Sequence, residues 1–139
     1  MLTLVDSSPS YQDTAKFRGA WQTAIRGLLA TGDHYRNQDA CRSAGPLYFQ
    51  ALSHYQAGPP DWHLADLSPR NISDRLKKCG DILMARGLSA YRQGELEQAI
   101  GHWQDLLVFD RDNSAALQAV NTTRTQLENL NALSPSPSP

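Results

Sequence analysis

Long apolar runs are missing from this chain. The longest, Leu106 to Phe109, spans four residues, against about 20 for a helix that crosses a bilayer, so no membrane insertion is expected. An excess of one charge is missing too. Thirteen Lys and Arg stand against 14 Asp and Glu, for a net charge of −1 and a pI near 6.4. A balance of that kind steers neither nucleic acid nor an anionic membrane, and excludes both as expected partners. Cysteine is scarce: Cys41 and Cys79 are the only two, with no CxxC spacing. Two cysteines make no disulfide framework, although one bridge is open to them in a secreted protein. Cys79 shares an apolar helical face with Ile72, Leu76 and Leu83, which favours a free buried thiol. The start, MLTLVDSSPS, has neither a basic beginning nor an apolar stretch of signal-peptide length. The expected location is therefore cytoplasmic, or periplasmic or extracellular if a leader has been removed.

Patterns that carry chemistry are equally thin. His34, His54, His63 and His102 show no i, i+4 pairing and no cysteine at ligand spacing, so no metal site is expected. No serine stands in GxSxG and no glycine cluster resembles a phosphate loop. Asp110 and Asp112 flank a turn, where capping explains them better than acid–base work, and no acidic loop is long enough for calcium. Neither enzyme nor cofactor is expected. Arg70, Arg75, Lys77 and Lys78 form one basic cluster, but Asp74 and Asp81 are interleaved with it. Local pairs of about 0.2–0.5 kcal/mol each on a solvated face account for it. Two glycosylation triplets, Asn71-Ile72-Ser73 and Asn121-Thr122-Thr123, fall inside predicted helices and are discounted.

What the chain does carry is helical periodicity. Residues 1–10 read as disordered. A first helix is predicted from Tyr11 to Ala30, with Phe17, Trp21, Ala24, Ile25 and Leu28 on one stripe and Gly32 as its stop. A second, from Asn37 to Gln56, contains Pro46, which costs about 3 kcal/mol in a helix interior, so a kink or interruption is expected there. Gly58-Pro59-Pro60 ends it. Ser68-Pro69 then gives a capping hydroxyl and a proline at the first helical position, opening a third helix that runs to Gln93. A fourth covers Glu95 to Phe109. A fifth, from Asn113 to Asn131, carries Leu117, Val120, Leu127 and Leu130. Residues 132–139 form a Ser/Pro-rich tail that continues no helix.

One segment holds more pattern than the rest. From Asp81 to Ala115, Gly87 is followed by Gly94 at a turn, then Ala99, then Trp103, then a helix stop at Asp110–Asn113. This resembles a tetratricopeptide repeat, a helix-turn-helix unit with a period of 34 residues. Gly87 and Ala99 let paired helices approach and Trp103 fills the gap beside them. Two echoes suggest repetition. Leu52–Gly58 matches Leu88–Gly94 at an offset of 36, and Arg26-Gly27-Leu28 matches Arg86-Gly87-Leu88 at an offset of 60. The second is preferred, with Ala44, Tyr48 and Ala51 in the places of Ala99, Trp103 and Leu106. Its first hairpin then needs a longer turn.

The expected fold is all-α: about five helices in tetratricopeptide-like antiparallel hairpins, forming a short α-solenoid. Residues 11–131 make one domain, with a degenerate first hairpin at 11–57, a better-matched repeat at 69–110 and a capping helix at 113–131. The resemblance implies a non-enzymatic interaction module that binds a protein or peptide segment as adaptor, scaffold or assembly factor. The alternative is a structural or dimerisation domain of a larger protein, whose groove is filled by its own helices or by a second copy. In such repeats the first helices line the binding face, which here implies Asp81, Met84, Leu88, Tyr91 and Arg92, with Arg26 and Leu29 on the earlier unit. The Lys- and Asn-rich pattern that clamps a peptide carboxylate in some members is absent.

Overall fold

Helical periodicity becomes five α-helices in the computed structural model, which describes residues 11–133. The expected disordered start at 1–10 and the tail beyond Leu133 lie outside the described residues. The helices are α1 (Tyr11–Asn37), α2 (Cys41–Ala57), α3 (Pro69–Arg92), α4 (Leu96–Phe109) and α5 (Ser114–Leu133), with one 3-10 turn at Pro60–Trp62. The fold is all-α, with no strand among the described residues. Each helix packs on the next in sequence, and α2 also reaches α4. Short turns make α1/α2 and α3/α4 antiparallel hairpins, and α5 lies against α4.

Two boundaries depart from expectation. Gly32 does not stop α1, which continues to Asn37. A glycine inside a helix costs only about 1 kcal/mol relative to alanine, which packing can outweigh. Here the Tyr48 ring presses on the helix, and a Cβ at Gly32 would lie 2.6 Å from Tyr48 Cε1. Consequently α2 begins at Cys41 rather than Asn37. It also runs unbroken through Pro46, where a kink or interruption was expected. The proline falls early in the helix, so the Arg42 carbonyl loses its usual donor without ending the element.

The same structure also corrects the register expected between the two hairpins. Gln38 and Gln93 each donate to carbonyls three and four residues back, at 3.1 and 3.2 Å. Ala40 and Glu95 close their turns on Tyr35 and Ala90, both at 2.9 Å. Between them, Asp39 at φ 63° and Gly94 at φ 79° both take the left-handed conformation. The two hairpins thus correspond at an offset of 55 residues (Gly32 to Gly87, Asp39 to Gly94, Ala44 to Ala99, Tyr48 to Trp103). Neither the 36 nor the 60 echo holds across a whole hairpin. The Ala44/Tyr48/Ala51 correspondence stands, Gly32 replaces Gly27 as partner of Gly87, and the two turns have equal length.

The core runs through both hairpins. Ile25 and Leu29 of α1 meet Ala44, Tyr48, Ala51 and Tyr55 of α2. Ile72, Cys79, Leu83 and Ala90 of α3 meet Ala99, Trp103 and Leu106 of α4. Ala116, Val120 and Thr123 bury the inner side of α5. Phe17, expected on the buried stripe of α1, is 61% exposed, and Leu117 and Leu130 of α5 are exposed as well.

The segment from Gly58 to Ser68 lies back over the first hairpin rather than looping into solvent. Trp21 Nε1 donates to the His54 carbonyl, and Gln22 Nε2 to the Trp62 carbonyl. Tyr55 Oη donates to the Leu67 carbonyl at 2.6 Å, and His63 packs 4.3 Å from the Tyr55 ring centre. Arg26 pairs with Asp66 at 3.0 Å, and its guanidinium holds that carboxyl below the usual range.

Candidate partner-binding groove

The inner side of α3 is committed to the core, and its next face forms one wall of a groove. Residues 73, 76, 77, 80, 81 and 84 recur at helical spacing along that wall. Phe49 and Leu52 of α2 face them, Leu106 and Phe109 of α4 form the floor, and Asn113 and Ala115 close the end at the start of α5. The hollow is half open to solvent, with a volume of about 690 Å³. Gly80 leaves room there, since a Cβ on it would meet only Leu106 and Phe109 at ordinary contact distance, 3.8 and 3.9 Å.

The rim is polar and largely self-satisfied. Lys77 Nζ donates to Asp81 Oδ2 at 3.1 Å across one helical turn. Asn113 Nδ2 donates to Asp110 Oδ2 at 3.0 Å, while its own Oδ1 accepts from Ala116 N at 2.9 Å and caps α5. Within the rim, Phe49 is 49% exposed and Met84 is half-buried. The groove thus has an apolar centre inside a polar border.

The residues expected on the binding face separate into two places. Asp81 and Met84 line this groove. Leu88 and Tyr91 continue the same stripe of α3 into a smaller hollow of about 330 Å³, walled by Trp103 and by Ala115, Gln118, Ala119 and Thr122 of α5. Tyr91 leans on Trp103 at 6.4 Å between ring centres. Arg92, the last residue of α3, is exposed and lines neither space. Arg26 and Leu29 border a separate hollow on the first hairpin with Asp33 and Arg75. The periodicity of α3 located one wall and missed Phe49, Leu106 and Phe109. Phe49 had a signal of its own: it is an aromatic beside the buried Ala44/Tyr48/Ala51 stripe rather than on it.

The basic cluster also divides. Lys77 makes the local pair expected of it, but Arg75 reaches across to the first hairpin, with Nε 3.4 Å from Asp33 Oδ1. Asp33 accepts in addition from Tyr48 Oη at 2.5 Å, and burial together with that bond raises the Tyr48 phenol above its usual range. Arg86 joins the same seam from α3, donating to the Asp39 carbonyl at 3.2 Å and pairing with its carboxylate.

No cluster of three or more His, Cys, Asp or Glu side chains gathers among the described residues. No helix among them is long and apolar enough to cross a membrane. No family model, curated protein or solved structure matches the chain.

Proposed function

We propose that the chain is a non-enzymatic interaction module that seats an apolar segment of another protein in the groove between α2, α3, α4 and the start of α5. The observation that carries this reading is Phe49, a half-exposed aromatic at the mouth of a hollow of about 690 Å³ whose floor is apolar and whose rim is polar. Exposed aromatic surface bounding a groove is the usual mark of a docking site. The tetratricopeptide resemblance of residues 81–115 supports the same role and belongs to the proposal, as does the cytoplasmic location.

The test is a lysate pull-down with three folded baits: the wild type, Phe49→Asp with Met84→Asp, and Leu88→Asp with Tyr91→Ala. The wild type retains a partner, and the Phe49/Met84 variant loses it by about 30-fold or more, the scale of one hot-spot residue. Loss only in the Leu88/Tyr91 variant moves the site to the smaller hollow beside α5. A second reading, dimerisation, draws on Leu130 and Leu133, which are 52% and 79% exposed at the end of α5. It takes over if no bait retains a partner and the purified chain sediments as a dimer that Leu130→Glu dissociates.

A further inference from the structure

The apolar stripe of α1 runs on past the hairpin it belongs to. Its last packed turn is at Trp21, whose ring stands 5.6 Å from that of Tyr55 and lies so close to Gly58 that a Cβ there would enter it. With 27 residues against 17 in α2, α1 extends beyond the end of its partner. Residues 15–20 are all exposed. Among them Ala15, Gly19 and Ala20 are small, and the one aromatic, Phe17, stands between Lys16 and Arg18. Phe17 lies one helical turn before Trp21 on the same stripe, a knob without a hole.

The groove matches that helix end in form and in charge. Its walls are helices with their backbone groups bonded internally, so an occupant must satisfy its own backbone, as a helix does. The wall over residues 73–84 is about 16 Å long, and the stretch 11–20 of α1 about 15 Å, at 1.5 Å per residue. Phe49, Met84 and Phe109 offer apolar surface to a ring, and Gly80 leaves room for one. Of the charged lining residues, Lys77 bonds Asp81, while Asp110 bonds the neutral Asn113, so the surplus charge is negative. Arg111 and Asp112, exposed beside it, offset each other. In residues 11–20 the surplus is positive, with Lys16 and Arg18 against Asp13. The exposed Leu130 and Leu133 of α5 match less well, because the one charged residue in 125–133 is Glu128. A helix packed along α2 cannot turn back into its own groove, so this occupant comes from a second copy.

We propose that the α1 end of a second copy docks in the groove, with Phe17 against Phe49 and Met84 and with Lys16 or Arg18 beside Asp110. This rests on the groove reading above and names an occupant for that site. Helix end and groove are different surfaces of one chain, so reciprocal docking closes a dimer and one-way docking extends a row of copies. One helix end in one groove is a small contact of the weak, reversible class. A partner protein that binds more tightly therefore displaces the second copy.

The test sediments full chains at concentrations up to about 1 mM, the range of weak association. The substituted positions are all exposed, and circular dichroism checks that each variant is folded. The wild type should self-associate, Phe17→Asp and Phe49→Asp should each stay monomeric, and Leu130→Glu should behave as the wild type. Mixed together, the two monomeric variants should associate again, since one keeps the α1 end and the other keeps the groove. Adding Asp110→Lys to the Phe17→Asp chain should weaken that mixed association about 5-fold at low salt, the upper scale of an exposed charge pair. Lys16→Glu with Arg18→Glu in the Phe49→Asp chain should then restore it. A monomeric wild type, a mixture that stays monomeric, indifference to Asp110→Lys, or dissociation by Leu130→Glu alone each overturns the proposal. A lysate partner held through Phe49 and Met84 by a wild type that stays monomeric overturns the second-copy assignment and leaves the groove reading in place.

Discussion

At single positions, the contacts between glycine and aromatic rings set how closely the helices approach. Gly32 lies under Tyr48 within the first hairpin and Gly87 under Trp103 within the second. A methyl group at Gly87 would enter the indole around Nε1, and that ring is held among buried neighbours with no flexible end to yield. Gly87→Ala is expected to lower stability by about 1–3 kcal/mol, the usual cost of overpacking, and Gly32→Ala to act in the same direction. Gly27 and Gly101 have nothing within 4 Å of an added Cβ and sit in helix interiors. Alanine there should stabilise by about 0.5–1 kcal/mol. Urea denaturation of the four variants decides the register directly: if Gly27→Ala destabilised and Gly32→Ala did not, the hairpins would not correspond at an offset of 55 residues. Sequence reading recognised the Gly87–Trp103 contact because Gly94 and Ala99 frame it. It passed over Gly32 because a glycine near a helix end looks the same whether it terminates the helix or admits a ring.

At the level of elements, local signals were readable where the backbone has a side chain to declare it. Ser68 does accept from Asn71 N at 3.2 Å and opens α3 as expected, and Gly94 turns the second hairpin. The first turn was hidden because Asp39 occupies the left-handed position that Gly94 holds in the second. Aspartate reaches that conformation more readily than most residues with a side chain, but does not announce it as glycine does. The recurrence of Gln38-Asp39 and Gln93-Gly94 at one spacing was the signal available. Pro46 misled in a similar way, since α2 absorbs it by leaving one carbonyl without a helical donor. Pro46→Ala restores that donor and is expected to stabilise the chain by about 1–3 kcal/mol, reduced somewhat by the freer unfolded chain. Thermal unfolding of the variant checks this, and an unchanged or lower midpoint would show that the pyrrolidine ring itself packs in a way alanine cannot replace. The groove was half legible for a related reason. The α3 stripe is periodic and can be counted, whereas Phe49, Leu106 and Phe109 come from helices whose placement depends on tertiary packing.

Across the whole molecule, the junction between the hairpins concentrates the ionisable groups. Arg75 and Arg86 of α3 reach Asp33 and Asp39 of the first hairpin, Tyr48 donates to Asp33, and Cys79 of α3 is buried. Two of these groups are acids that folding keeps protonated. The Cys79 thiol moves from 9.0 to about 12, first through burial and then through Cys41, and the Tyr48 phenol rises through burial and its bond to Asp33. In the unfolded chain the thiol loses its proton from pH 9.0 upward, while the folded chain holds it until about 12. Between those values the native state binds more protons, so the stability present in full below pH 9.0 falls as pH rises through the window. Tyr48 acts with the same sign from its own ordinary value of 10.0 upward. Urea midpoints of the reduced chain measured across this range should therefore decline. The decline should flatten in Cys79→Ala, and flatten further when Tyr48→Phe is added. An equal slope in all three chains would place the alkaline loss elsewhere and remove the junction from the account.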